Sequence, residues 1–404
     1  MSEQPQQYPR VRPPGKRSAE QEQASASQTA AETIAAAAPH FEEDVSAAIE
    51  QGKKFPCSAC GAKMNFNPKD GNLKCGYCGH QQEIPKSEND VKELCFETYF
   101  KQGELVEEVI QGAEMETRCP GCGAMVMMPT HVKSDFCPFC STQLTNPLVV
   151  AKPLMAPGGI LPFKVDKGEA TTLFRGWVSS RWFAPNALKN VTKLDQLQGI
   201  YAPFWTYDSS TFTFYTGQRG EHYYVTVGTG ENRRRQRRTR WYNVSGQIFR
   251  FFDDVPVCAS RTVPQDFMEK LEPWDMPAVV PFNKDFLSGF KTERYQISTR
   301  EGFDLAREKM NKEIQQLIYR DIGGDEQRIT STKTQFDAVT FKYLMMPLWI
   351  AAYKYKNKGY QVYINARTGE MHGTRPYSIV KITLAVMAVV ILILLIVLFA
   401  SKNS

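Results

Sequence analysis

The sequence predicts an α+β chain whose strands are mostly antiparallel, and three observations carry that prediction. Short runs rich in Val, Ile, Thr, Phe, Tyr and Trp recur through the middle of the chain, bounded by turn residues. Only two segments there keep the apolar spacing of an amphipathic helix. The ends differ from this middle: four Cys-x-x-Cys pairs precede it and an uncharged apolar run follows it.

The chain of 404 residues has room for two to three domains, and a hydrophobic content of 42% is enough for a sizeable core. The net charge of +6 is mild and names no partner. Ten cysteines in an extracellular chain would suggest disulfides. Eight of them stand in metal-like pairs, however, and Met1 to Gln51 contains no apolar run flanked by a cleavage site. A reducing compartment is expected.

The predicted organisation follows composition. Residues 1–52 are rich in Gln, Ala, Ser, Pro and Glu and read as a disordered arm. Phe41, Val45 and Ile49 in it are spaced for a short helix. Residues 53–90 and 91–147 hold the cysteine pairs, 148–378 form an aromatic-rich α+β domain, 382–400 a membrane helix and 401–404 a short tail.

Within the aromatic-rich domain one helix is expected from about Glu169 to Trp182, with Ala170, Leu173, Phe174, Trp177 and Val178 on its apolar face and Pro185 beyond it. The other is expected from about Phe303 to Tyr319, with Phe303, Ala306, Met310, Ile314 and Leu317 inward and Gly323-Gly324 as its stop. Strands are expected at Thr211–Tyr215, Tyr223–Val227, Val244–Phe252 and Val339–Tyr355, and Gln361–Asn365 pairs back across Asn357-Lys358-Gly359. Asp253-Asp254 reads as a strand end. Pro203-Phe204-Trp205 after the first helix and Pro347-Leu348-Trp349 after the second fit an internal duplication, and fit chance recurrence in an aromatic-rich chain equally well.

The cysteines carry the sharpest chemistry. Cys57-x-x-Cys60 is followed after fourteen residues by Cys75-x-x-Cys78, and Cys119-x-x-Cys122 after the same interval by Cys137-x-x-Cys140, so the pattern repeats with a period of 62. Two cysteines three apart let one tight turn present both sulfurs, and the glycines after Cys60 and Cys122 permit the left-handed backbone such a turn needs. Two turns complete a tetrahedral set of four thiolates, the ligand field of structural zinc. Lys53, Lys54, Lys63, Lys74, Arg118 and Lys133 are placed to offset the charge. A closed set of four protein ligands leaves no open position for catalysis, so two structural zinc ribbons are expected. Cys95 and Cys258 stand alone in apolar stretches and read as buried thiols.

Ile382 to Ala400 is nineteen residues without a charge, fourteen of them Leu, Ile, Val or Phe. As a helix it would extend roughly 28 Å, the thickness of a bilayer's hydrocarbon core. Lys354, Lys356, Lys358, Arg367, Arg375 and Lys381 precede it and only Lys402 follows. The positive-inside rule then puts the ribbons in the cytoplasm and the C-terminus outside, a tail anchor in what is expected to be a bacterial inner membrane.

Arg233, Arg234, Arg235, Arg237, Arg238 and Arg240 place six arginines in eight residues. Gly228 and Gly230 suggest a hairpin loop. A loop near a membrane would attract anionic lipid, the same charge would attract nucleic acid, and a solvated loop is the plain alternative. Tethering near headgroups favours lipid, and strand alternation is expected to bury some of the flanking Tyr223, Tyr224, Trp241 and Tyr242. Catalytic signatures are absent: there is no phosphate-binding loop, no His-Glu-x-x-His and no nucleophile near a histidine. The Asp321 to Arg328 stretch has three carboxylates around Gly323-Gly324 and reads as a helix stop with a polar turn, or as a cation site.

Five stretches, Tyr201 to Asp208, Phe252 to Val255, Glu272 to Asp275, Asp321 to Ile329 and Pro347 to Ile350, together resemble a bacterial family of membrane-anchored TFIIB-type zinc-ribbon proteins. Its members are often labelled primosomal protein N′ (replication factor Y) superfamily II helicase-like. The resemblance covers roughly residues 55 to 380 and leaves out the N-terminal arm and the arginine run. No nucleotide-binding loop matches the helicase part of that label. The resemblance implies membrane association and a link to envelope stress, with SPFH-domain and phage-shock-protein-A-like proteins as partners. The expected function is a non-enzymatic scaffold that recruits cytoplasmic partners to the membrane, with a membrane-tethered nucleic-acid binder as the alternative.

Overall fold

The structure, a computed structural model, describes residues 55–85, 90–101, 115–128, 135–144, 149–150, 155–185, 197–228, 230, 233–356 and 358–402. The chain divides into two compact units, Met1–Lys53 and Lys54–Ser404, and every described residue belongs to the second. The expected N-terminal arm and its short helix lie outside the described residues.

The first cysteine module carries β1 (Met64–Asn67), β2 (Asn72–Cys75) and β3 (Gln81–Gln82) in one small sheet. After β4 (Leu94–Cys95) and α1 (Phe96–Lys101), the second module carries β5 (Met115–Arg118), β6 (Met125–Met128), β7 (Asp135–Phe136) and β8 (Gln143–Leu144), and β9 (Val149–Val150) returns to β5. Next come β10 (Gly159–Ile160), α2 (Lys167–Ser179), β11 (Leu197–Val227) and β12 (Arg234–Cys258). They are followed by α3 (Gln265–Glu269), β13 (Val280–Pro281), β14 (Lys291–Thr292) and α4 (Thr299–Ile322). Finally β15 (Glu326–Tyr355), β16 (Lys358–Asn365) and β17 (Met371–Gly373) lead to α5 (Ile379–Lys402).

The central sheet runs β12-β11-β15-β10-β13, with β14 beside β11, β4 and β16 beside β15, and β17 beside β16. Among the described strands only β10 with β15 and β14 with β11 are parallel, so the fold is α+β with a mostly antiparallel sheet, as expected. The core is aromatic: Tyr201, Trp205, Tyr207, Phe163 and Phe341 are fully buried around β11 and β15. Fully burying a side chain of this kind contributes on the order of 3 kcal/mol.

The strands are far longer than the sequence suggests. Thr211–Tyr215 and Tyr223–Val227 are parts of one 31-residue strand, β11, and Val339–Tyr355 is the second half of the 30-residue β15. Glycines inside these strands are sites of close approach. A Cβ on Gly246 would lie 2.6 Å from the Tyr215 hydroxyl, and one on Gly217 would lie 2.5 Å from the Arg328 carbonyl oxygen. Asp253-Asp254 is likewise no strand end. Asp254 (φ 50°) and Ala338 (φ 49°) are left-handed residues in β12 and β15, and the β11 register shifts between them at Asp208. The buried Asp208 carboxylate accepts the Asp254 N–H at 2.6 Å and the Thr340 hydroxyl at 2.8 Å, holding both irregular strands at one level.

Both helices begin slightly earlier than expected because their caps lie outside the apolar pattern. Asp166 accepts the Glu169 N–H, and Ser298 accepts that of Glu301. Ala170, Phe174 and Val178 are buried on α2, and Ala306, Met310, Ile314 and Ile318 on α4. In the last hairpin Tyr355 pairs with Lys358, so Lys358 and Gly359 belong to β16 rather than to the turn.

Hydrogen bonds make the duplication explicit. Trp205 Nε1 donates to the Ile297 carbonyl and Trp349 Nε1 to the Val165 carbonyl, each at 2.9 Å and each one residue before a helix cap. Ala259 N–H donates to Pro203 O, and Ala366 N–H to Pro347 O. The Ala259 carbonyl accepts from Gln296 and Ile297, and the Ala366 carbonyl from Lys164 and Val165. Two strand–helix–hairpin units therefore exchange equivalent contacts, each tryptophan bracing the helix start of the other unit.

Candidate metal centres

All four Cys-x-x-Cys turns have one backbone pattern. The first cysteine's N–H donates five residues on, Cys57 to Ala62 O, Cys75 to His80 O, Cys119 to Ala124 O and Cys137 to Thr142 O, at 2.7–2.9 Å. The residue after the second cysteine returns an N–H to the first cysteine's carbonyl and takes positive φ: Gly61 at 69°, Gly79 at 75°, Gly123 at 78° and Ser141 at 58°. Three turns use glycine for this, and the fourth accommodates a serine.

The turns bring the sulfurs together as the spacing predicts. In each module the four Sγ atoms lie within 4.8 Å of one another. Cys57–Cys78 and Cys60–Cys75 are both 3.6 Å apart, Cys119–Cys140 is 3.5 Å and Cys122–Cys137 is 3.6 Å. A tetrahedral ion with metal–sulfur bonds of about 2.3 Å holds its ligand atoms about 3.8 Å apart. All eight thiols are free of disulfides, and both sets fit a metal ion. The N–H groups of Cys78 and Tyr77 pull the Cys75 thiol down to about 6, and a hydrogen bond from Cys122 pulls Cys137 down to about 5. That bond raises Cys122, because four adjacent thiols do not all ionise without a cation.

Each module is braced on the sheet by contacts the sequence did not reveal. Ser288 donates its hydroxyl to Met64 O at 2.6 Å and accepts the Phe66 N–H at 2.9 Å. Arg294 pairs with Glu116, and Lys291 with Asp135 at 2.8 Å. Beside the second module, Glu293 is buried and accepts from Ser260, Thr262 and Gln296, and burial pushes its carboxyl up to about 8. Nothing in the local pattern around these residues marks them.

The lone cysteines divide. Cys258 is buried as expected. Cys95 is exposed instead, because β4 turns Leu94 toward the core and Cys95 outward, and Thr98 lowers its thiol pKa by hydrogen bonding.

The arginine run is not a loop. Arg234–Arg240 belong to β12, opposite Glu221–Val227 of β11, and Arg233 immediately precedes them. The β-forming Tyr223, Tyr224 and Val225 across the ladder favour strand here. All six arginines are exposed. None of the four flanking aromatics is buried, against expectation: Tyr223, Tyr224 and Tyr242 are exposed and Trp241 is half-buried.

The Asp321 to Arg328 stretch does not converge on a cation site. Asp321 accepts from the Tyr215 hydroxyl, Asp325 from the His222 N–H at 2.7 Å, and Glu326 contacts His222 Nε2 at 2.7 Å and the Thr239 hydroxyl at 3.0 Å. The carboxylates are used separately to lock α4 and β15 onto β11.

α5 is long and apolar enough to cross a membrane, and none of its Ile379–Ser401 span is buried against the rest of the protein. Its root is tied down: Ser378 N–H donates to Phe183 O at 2.8 Å, and Lys381 Nζ to the carbonyls of Trp182 and Ala184. Trp182 and Tyr377 are exposed beside it.

No protein-family model matches the chain, and no solved structure matches it. A relative from Bacillus subtilis (strain 168), the uncharacterized protein YdjG, is 25% identical over 341 residues, covering 80% of this chain and 90% of that protein.

Proposed function

We propose that this protein is a membrane-anchored double zinc-ribbon scaffold that holds a cytoplasmic partner at the membrane and performs no chemistry itself. The observation that carries this reading is the pair of closed four-thiol sets, each braced on one rigid sheet. Four soft thiolates in tetrahedral array select zinc over harder cations, and no coordination position is left for substrate. Such sites stabilise the turns that hold them and present the intervening surface for contact.

The anchor supports the membrane half of the reading. Exposed Trp182 and Tyr377 beside Arg181, Arg375 and Lys381 form a belt of the kind that sits at headgroup level. The excess of positive charge before α5 favours a cytoplasmic location for the sheet and modules. The resemblance to membrane-anchored zinc-ribbon proteins suggests SPFH-domain or phage-shock-protein-A-like partners and a role in envelope stress.

Affinity purification of the full-length protein from membranes is the test. It should recover a cytoplasmic partner that is lost when Cys57 or Cys119 is replaced by Ser. Partner recovery that persists in both variants would overturn the scaffold reading.

A further inference from the structure

The scaffold reading leaves the arginine-bearing end of the sheet unused. β15 ends opposite Gly220, so Glu221–Val227 and Arg234–Arg240 continue alone as a two-stranded hairpin arm. At about 3.3 Å per residue the arm projects roughly 20 Å. Register and strand alternation put Tyr224, Arg235, Arg237 and Trp241 on one face and Tyr223, Arg238, Arg240 and Tyr242 on the other.

Each face carries two guanidinium-on-ring pairs. On the first, Arg235 lies 4.9 Å from the Tyr224 ring centre and Arg328 lies 3.8 Å from that of Trp241. On the second, Arg240 lies 5.1 Å from Tyr223 and Arg219 lies 5.9 Å from Tyr242. Two described carboxylates beside the run are already engaged: Glu221 with Arg219 at 2.9 Å, Glu326 with His222 at 2.7 Å. Among the described residues, none of the six arginines in the run forms an ion pair with a carboxylate. Within the described residues this charge is left without a carboxylate partner.

Position decides between polyanions. α2 packs Phe174 against Tyr353, and its C-terminal end meets the root of α5. Tyr353 lies two residues beyond Ala351, which pairs with Leu197 at the start of β11. The anchor is therefore at the first end of β11 and the arm at the last. Leu197 to Val227 is about 100 Å of extended strand, whereas headgroup charge is screened within about 8 Å. The root of α5 therefore does not by itself hold the arm within a screening length of lipid.

We propose that the arm binds a single strand of nucleic acid at the end of the sheet away from the anchor. Arginines take the phosphates, and unstacked bases lie against the arginine–aromatic pairs, which present π-faces to any base. Arginine suits both tasks because its guanidinium is planar and weakly hydrated. The inference does not depend on the scaffold reading.

The test uses the full-length protein in neutral-lipid nanodiscs, with labelled oligothymidylate and oligouridylate followed by anisotropy across a salt series. Replacing the six arginines with Ser should abolish binding at physiological salt and reduce the slope of log affinity against log salt by up to about 4, from about 0.7 per phosphate. Replacing all six with Lys keeps charge and hairpin; the slope should stay while affinity falls. Tyr224→Ala with Trp241→Ala should weaken binding on the order of tenfold or more, through lost stacking. If the Ser variant misfolds, the last two variants still decide. Wild-type affinity in both of them overturns the proposal, as does equal competition by duplex of the same sequence. Arginine-dependent flotation on phosphatidylserine vesicles without oligonucleotide binding would reassign the arm to lipid.

Discussion

The two cysteine modules share their spacing and turn hydrogen bonds, yet they meet the sheet differently. In the first, Cys60 and Cys78 are exposed, and docking rests on Ser288, on Phe66 against Phe286 at 5.3 Å, and on a Lys69–Asp166 pair at 2.8 Å. In the second, Cys122 and Cys140 are half-buried and Phe139 is fully buried. It is held by Arg294–Glu116, by Lys291 to Asp135 and to Phe136 O, and by Gln361 to Phe139 O. Cys140 Sγ also lies 3.1 Å from Thr142 Oγ1, a sulfur contact from outside the ligand set. Ligand spacing makes the sites alike, and the surface beneath each makes them unequal in protection.

The largest effect should come from deleting a ligand. Purified protein should hold two zinc ions per chain, and either Cys78→Ser or Cys137→Ser should reduce this to one by metal analysis. The Tm should fall further for Cys137→Ser, because Cys122 and Cys140 of its module are half-buried where Cys60 and Cys78 of the first are exposed. Equal falls would erase the contrast. Chelator competition should sharpen it: the first site should lose its metal about tenfold faster than the second, the scale on which outer contacts tune metal sites.

Smaller effects concern the braces. Glu116→Ala leaves Arg294 without its carboxylate in a largely buried setting and should cost about 3 kcal/mol in denaturant unfolding. Ser288→Ala removes a hydrogen bond under the first module and should cost about 1 kcal/mol. The smallest is pH-dependent. Lys69 and then the Glu169 N–H hold the Asp166 carboxyl below its usual value. The stabilisation is therefore complete above the ordinary carboxylate range, near pH 4, and is lost as pH falls through the lowered value. Asp166→Asn should narrow the stability lost between pH 5 and 3, measured by urea midpoints against wild type, by about 1 kcal/mol or less for so exposed a pair.

What could be read from the sequence was local. A tight turn that holds two sulfurs needs only Cys-x-x-Cys and a residue able to take positive φ, so both four-sulfur clusters were legible from spacing. The faces of α2 and α4 followed from helical period, and α5 from apolar length alone. The pairing of Gln361–Asn365 with the preceding strand was also legible, since its partner lies within one hairpin.

Tertiary structure decided everything that depends on residues far apart in the chain. Gly217, Gly220 and Gly246 carry no sign of their role until Arg328, Glu326 and Tyr215 are seen packed over them. Cys95 looks buried until β4 is placed at the flank of β15. The duplication rests on Trp205 meeting Ile297 and Trp349 meeting Val165, contacts spanning 92 and 184 residues. The arginine run is visible in the sequence, but its separation from α5 is set by the 31-residue β11. The physical reason is common to all four. Side-chain period and ligand spacing are enforced by the covalent chain over a few residues, whereas strand length, burial and separation are enforced by neighbours the chain brings back from afar.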